Sequence, residues 1–357
     1  MSKNLFNIIS ITPHSFGKEN LQTRNFEKIT NFLSNLTTNG TIVFFSDDWK
    51  DLLIQNINEL EEEDFDDIKS LLNTLFSRNR MILNEQDSFS SEHEEELMRK
   101  TNELHKIKNF DLLIGINKYL NFIKIEELKR EVLKYEGAIV GKQTRDNLEN
   151  IFINILHYAE IVKIIDPYFN FEPVAGDKTR YMDTIHIICK NTSVRHNNNL
   201  SAIIEIHTSV KSILNNDKII DWKFVQNWES IIKDLEKKYN HKIEVKIWEE
   251  DKSKDEWHER YIITDQCALS IGKGTDISNF TDSTWSLLNW DDIDKTASKY
   301  IENRNVYKLI AEVNSGGLRK INKSSNYSEY KTEAEIATMT ANVKSLKKTS
   351  IPQRKVT

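Results

Sequence analysis

Apolar positions recur along this chain in two alternating rhythms. Phe6–Ile11 and Thr41–Phe45 are short β-branched or aromatic runs, bounded by Thr12-Pro13 and Ser46-Asp47, and read as strands. Between them Phe26, Ile29, Phe32, Leu33 and Leu36 fall at helical spacing. Trp49–Ile57 and Ile68–Leu75 predict two more amphipathic helices, separated by the acidic run Glu59–Asp67, in which Glu61-Glu62-Glu63-Asp64 reads as a solvated face. Glu92–Lys106 predicts a charged helix, and Asp111–Ile116 a strand. Strand alternating with helix predicts a small α/β domain over residues 1–140, of unassigned role. Tyr135–Asp146, with Gly137, Gly141 and mixed polar residues, reads as the boundary after it.

The same alternation resumes over residues 145–298. Leu148–Tyr158 and Trp222–Lys238 read as helices, the second from the stripe Trp222, Val225, Trp228, Ile231, Ile232 and Leu235. Ile161–Ile165, Asp183–Cys189, Ser201–His207, Lys242–Trp248, Tyr261–Thr264 and Ala268–Ile271 read as strands. A mixed or parallel sheet is expected. From about Lys299 the chain turns polar and patternless, a C-terminal extension over 299–357. Lys344–Thr357 holds five basic residues and no acid, so the tail from about 340 is expected to be flexible. No internal repeat is present.

Composition narrows the function. A net charge of -6 excludes a general nucleic-acid binder, because phosphate binding needs concentrated Lys and Arg, and leaves room for a local basic groove. Cys189 and Cys267 form no CxxC pair, so neither a zinc site nor a disulfide framework is expected, which fits a cytoplasmic setting. The apolar run near the N-terminus is too short for a secretory signal, and no run approaches the roughly 20 residues of a membrane span. The excess of Asn, Ile and Lys suggests an AT-rich bacterial or mobile-element gene.

The chemistry concentrates in one stretch. His258-Glu259-Arg260 is followed by Asp265 and then by Gly272-Lys273-Gly274-Thr275-Asp276. The spacing is His, any residue, a cation, four residues, Asp, six residues, Gly. If Trp257–Thr264 is a strand, His258 and Arg260 share a face, close enough for both to touch one phosphate. Imidazole can attack phosphorus and carry the phosphoryl group covalently. Guanidinium can grip two phosphate oxygens in a fork. The glycines of the following loop let backbone amides converge on an anion, with the charge of Lys273 added. Asp265 points the other way on a regular strand and is expected to brace the loop; no metal is expected.

This is the spacing of the HKD motif of the phospholipase D superfamily, with Arg for Lys. Trp257–Ile277 resembles most the phospholipase D-like C-terminal domain of MIT-domain-containing proteins, called MIT_C, in which a His-Asp-Arg run precedes a Gly-Arg-Gly-Leu-Asp loop. The strand ending in Asp166-Pro167-Tyr168 resembles that family's opening strand. The likeness spans about residues 145–295. It implies a phospholipase D-like α/β sandwich after the small N-terminal domain, cofactor-free chemistry at His258 and Arg260, and a pocket that adds Gly272, Lys273, Gly274, Thr275, Asp166 and Tyr168, supported by Asp265 and Asp276. It also implies a metal-independent phosphodiesterase, read here as a nuclease of bacterial defence or a mobile element. The alternative is a non-catalytic module that binds phospholipid headgroups or a partner protein, with peripheral membrane contact. The superfamily's Ser and Asn after the Gly are Lys273 and Thr275 here. Superfamily sites use two motifs, and none of the other histidines has Lys or Arg two residues later. Catalysis therefore implies a homodimer, acting on nucleic acid or another phosphodiester.

Three further candidates are weaker. Asp47-Asp48 follows a strand and could bind a metal with Asp66 or Asp67, but reads first as a helix N-cap. His207 ends a strand and reads as a satisfied core histidine. Trp248, Trp257, Trp285 and Trp290 flank the motif and read as core.

Overall fold

The structure is a computed structural model that describes residues 5–21, 23–46, 48–91, 93–108, 110–116, 121–128, 137–171, 180–192, 201–250, 257–300 and 306–327. The expected flexible tail from about 340 lies outside the described residues, as does Asp47.

The first part runs β1 (Asn7–Ile11), α1 (Thr23–Asn39), β2 (Gly40–Phe44), α2 (Trp49–Ile57), α3 (Glu62–Ser77), β3 (Met81–Leu83), α4 (Glu94–Lys108), β4 (Leu112–Ile114) and β5 (Phe122–Ile123). The strands form a parallel five-stranded sheet in the order β3-β2-β1-β4-β5. Its strands are short apolar runs because helices cover both faces. Part of the acidic run opens α3, where Glu62, Glu63 and Asp64 meet the positive end of the helix dipole.

The second part contains β6 (Ile139–Gln143), α5 (Arg145–Leu156), β7 (Ile161–Ile165), α6 (Arg180–Asn191), β8 (Ile203–Ser209), α7 (Trp222–Gln226), α8 (Trp228–Tyr239), β9 (Lys242–Glu250), β10 (Tyr261–Thr264), β11 (Ala268–Ile271), β12 (Ser278–Leu287), α9 (Trp290–Ser298), β13 (Tyr307–Asn314) and β14 (Gly317–Lys320). They build a mixed nine-stranded sheet in the order β14-β13-β9-β8-β7-β10-β11-β12-β6. β7, β8 and β9 are mutually parallel, while β10 runs antiparallel to β7. The C-terminal ends of β7, β8, β9 and β11 therefore share an edge with the start of β10. Period-two alternation loads both faces: Ile164 and Ile262 pack with Phe152, Trp228 and Trp285, whereas Ile165, Tyr261 and Ile263 pack with Trp248, Trp257 and Tyr300.

The α/β class and most elements follow the sequence pattern, with four corrections. Asp183–Cys189, expected as a strand, lies in α6. Thr184, Ile185 and Ile188 are fully buried at helical spacing, so the three- and four-residue rhythm outweighs β-branching. The single helix expected over Trp222–Lys238 is two, with Asn227 between them. The boundary segment contains edge strand β6. Residues 307–320 are not a patternless extension: β13 pairs with β9 through the short buried run Leu309, Ile310, Ala311 and Val313, and β14 pairs back on β13.

The two sheets meet through polar side chains. Arg80 is buried and donates to the carbonyls of Leu36, Gly40 and Gln266. Thr41 donates to Oε1 of buried Gln266 at 3.1 Å, and Asn79 donates to Asp265 at 3.3 Å. The N-terminal sheet thus grips the turn that follows β10.

Candidate active site

The motif sits at the shared edge of the large sheet. The β10 ladder begins at Tyr261, so His258 and Arg260 precede the strand rather than lie in it. Ile271 N still donates to Arg260 O at 2.9 Å, which carries the pairing with β11 one residue further. His258 and Glu259 are both exposed, so strict alternation ends there. What brings His258 and Arg260 to one surface is Tyr168, which follows β7. Its hydroxyl lies 3.4 Å from His258 Nδ1, and the Arg260 guanidinium sits 5.1 Å above its ring. Arg260 Nη1 donates to His258 O at 3.1 Å.

Behind this surface, Asp166 is fully buried at the end of β7. Its Oδ2 accepts from Thr275 N and Thr275 Oγ1, each at 2.9 Å, and its Oδ1 accepts from Tyr168 N at 3.0 Å. Arg260 Nε lies 3.8 Å from Oδ1 and makes no hydrogen bond. Burial pushes the Asp166 carboxyl above its ordinary range, against the hydrogen bonds from Thr275 and Tyr168 and the charge of Arg260. Asp166 and Thr275, expected to line a pocket, both have zero exposure and hold the loop from behind.

The glycine loop is clamped by its neighbours. Gly272 N donates to Thr284 O at 2.9 Å, and Lys273 N to Ser283 Oγ at 3.1 Å. Gln143 Nε2 donates to Gly274 O, and Thr184 Oγ1 to Thr275 O. With the Gly272, Lys273 and Thr275 amides already bonded to protein acceptors, the expected amide cradle for an anion does not form from them. The glycine at 274 is needed for another reason. Its φ is +113°, and a Cβ there would lie 3.0 Å from Asp276 Oδ1 and 3.4 Å from Arg260 Nε. Gln143, Thr184 and Ser283 were not singled out in the sequence. Gln143 had a local signal: it shares the inward face of β6 with Ile139.

Asp265 turns away from the site. Its Oδ1 accepts from the amides of Glu160 and Ile161, at 3.0 and 3.4 Å, so it braces the start of β7. His207 is a core residue: Trp248 Nε1 donates to its Nδ1 at 3.1 Å, which leaves the proton on Nε2, 3.3 Å from Glu205. That hydrogen bond holds the Glu205 carboxyl well below its usual range, and burial lowers the His207 pKa. Trp257 stacks on Tyr307, and Trp248 and Trp285 are buried, as core aromatics are. Asp48 accepts from Ser90 Oγ at 2.6 Å and makes no side-chain cap. Among the described residues no cluster of three His, Cys, Asp or Glu could hold a metal, and no helix is long and apolar enough to cross a membrane.

The chain matches no protein-family model and no curated protein sequence. Two solved structures overlay on it weakly. The archaeal chromatin protein TrmBL2, described as showing a novel mode of DNA binding, covers 68% of this chain and 69% of its own, at 12% identity and a TM-score of 0.27. Phosphatidylserine synthase from Haemophilus influenzae Rd KW20 covers 48% of this chain at 16% identity and a TM-score of 0.29. The overlay takes in 39% of that enzyme's length.

Proposed function

We propose that the chain is a metal-independent phosphodiesterase of phospholipase D type, acting on nucleic acid in a bacterial defence or mobile-element setting. The observation that carries the reading is the convergence of His258 and Arg260 on Tyr168. An exposed imidazole, a half-buried guanidinium and the exposed Lys273 share one edge of the sheet. With Tyr168 at Nδ1, Nε2 is the nitrogen that attacks. The N–P bond forms as the P–O bond to the leaving alcohol breaks, and that oxygen takes a proton from an acid supplied by a second copy of the chain. Water then displaces the imidazole from phosphorus. Arg260 and Lys273 hold the non-bridging oxygens throughout.

The test is cleavage of labelled DNA, RNA and lipid diesters in EDTA. The expected result is cleavage of nucleic acid that survives EDTA and falls by about a thousandfold or more in His258→Ala, since removing a nucleophile costs at least that much. Cleavage that appears only with added Mg²⁺ or Mn²⁺ contradicts the reading. The single copy of the motif favours one other reading, a non-catalytic module for phosphorylated headgroups. In that case His258→Ala changes nothing, while Arg260→Ala weakens vesicle binding.

A further inference from the structure

The His258 ring is exposed, and its Nδ1 stands 3.4 Å from the Tyr168 hydroxyl, which is long for a hydrogen bond. An exposed side chain keeps rotamer freedom. An attacking nitrogen, by contrast, has to be held within about 0.5 Å and 10–20° of the productive geometry. Much of its aim must therefore come from the main chain beneath it. That main chain precedes the first strand pair of β10, so the ladder does not set it at residues 257–259.

Three successive carbonyls of the segment are nonetheless held. Arg260 Nη1 donates to His258 O at 3.1 Å, Trp257 Nε1 to Glu259 O at 3.1 Å, and Ile271 N to Arg260 O at 2.9 Å. The middle bond has the most rigid donor. The Trp257 ring is buried, 5.0 Å from the Tyr300 ring and stacked on Tyr307 at 5.2 Å with 26° between the planes. Tyr300 follows α9 and Tyr307 opens β13, so two elements outside the motif fix the place of the indole. Its N–H carries that fixed place to the carbonyl next to His258. Lys299 Nζ also holds Glu259, at 3.0 Å from Oε2. Both of those side chains are well exposed, and such ion pairs are screened and contribute little.

We propose that Trp257 is a positioning residue for His258, acting through the hydrogen bond from its indole N–H to the Glu259 carbonyl. The catalytic part of this inference rests on the reading of His258 as a nucleophile. A phenyl ring could join the same aromatic stack, but it has no donor for the carbonyl. Trp257 is only 2% exposed and does not touch substrate. Its effect therefore belongs to the step in which the N–P bond forms, and not to binding.

The test is Trp257→Phe in the full chain, which keeps a ring in the stack and removes the donor. It is read in two ways: by steady-state cleavage of a labelled diester, and by the ring-nitrogen NMR shifts of His258 in protein carrying isotopically labelled histidine. His258→Ala identifies the signals. At about pH 8, above the ordinary histidine pKa, the wild-type ring should show two well-separated nitrogen shifts, those of one neutral tautomer. In Trp257→Phe the two shifts should move toward each other as tautomers exchange. Turnover should fall about five- to tenfold, the loss of one hydrogen bond, with KM unchanged. If neither protein cleaves any diester while the shifts still converge, the positioning role stands and the nucleophile reading fails. Should Trp257→Phe not fold, benzothienylalanine in place of Trp257 keeps the shape of the indole, puts sulfur where the N–H was, and gives the same comparison. Wild-type nitrogen shifts and wild-type kcat in either folded variant overturn the proposal, and so does a loss that falls on KM alone.

Discussion

Arg80 Nε donates to the main-chain oxygen of Gln266 at 2.9 Å, and so links the loop before β3 to the turn after β10. The same guanidinium donates to Leu36 O at 2.9 Å and lies 5.2 Å above the Phe6 ring. Burial pushes its pKa down to about 10. β10 is only four residues long, with Arg260 immediately before it and Asp265 immediately after it. The small sheet is therefore part of what holds the motif in place. Arg80→Ala leaves three buried carbonyls without this donor, and at about 1 kcal/mol or more for each the loss is expected to reach about 3 kcal/mol. Urea unfolding should show a lower midpoint.

Tyr168 reaches both motif residues by different parts of its side chain. Tyr168→Phe removes the hydroxyl that holds His258 Nδ1 and keeps the ring beneath Arg260. Turnover is expected to fall about tenfold, in line with the loss of one positioning hydrogen bond of about 1.5 kcal/mol, while phosphate binding stays unchanged. Steady-state kinetics should place the loss in kcat rather than KM.

Asp166 accepts three hydrogen bonds, and two of them fix Thr275. Asp166→Asn turns an amide donor toward groups that themselves donate. It is expected to destabilise the protein by about 2–3 kcal/mol and to loosen the 272–276 loop. Faster hydrogen exchange at Gly274 and Thr275 is the sign to look for.

Acid should weaken the fold through buried histidines. Burial lowers the His157 pKa from 6.5 to about 4. Its contribution is fully present above pH 6.5 and is lost as pH falls toward 4, because the unfolded chain takes the proton first. The shift is worth about 3 kcal/mol. His186, His207 and His241 are lowered by burial as well and act in the same direction. Unfolding free energy measured from pH 7 to pH 4 should drop, and His157→Gln should flatten part of the slope.

The alternation of strand and helix was legible because both faces of each sheet are covered, which leaves uninterrupted apolar runs such as Ile42–Phe45. The motif was legible from spacing. Residue 166 to residue 275 was not: the Asp166–Thr275 clamp spans 109 positions, and nothing local in either segment announces the other. Period two predicted His258 and Arg260 on one face of a strand. They reach a common surface instead from an irregular segment, gathered by a tyrosine 90 residues away from His258. β13 was missed because its buried run is short and flanked by charged residues; its membership in the sheet depends on pairing with β9.

The central claim is that His258 is a nucleophile. Rapid quenching of a reaction with a labelled diester in alkaline denaturant, followed by mass spectrometry without acidification, measures it directly. The account predicts a phosphoryl group still esterified to the retained half of the diester, labile to acid and stable to base, on the peptide that contains His258. The group should be absent in His258→Ala and present at reduced yield in Arg260→Ala. A protein that cleaves the diester at full rate without ever carrying phosphorus on His258 would contradict it.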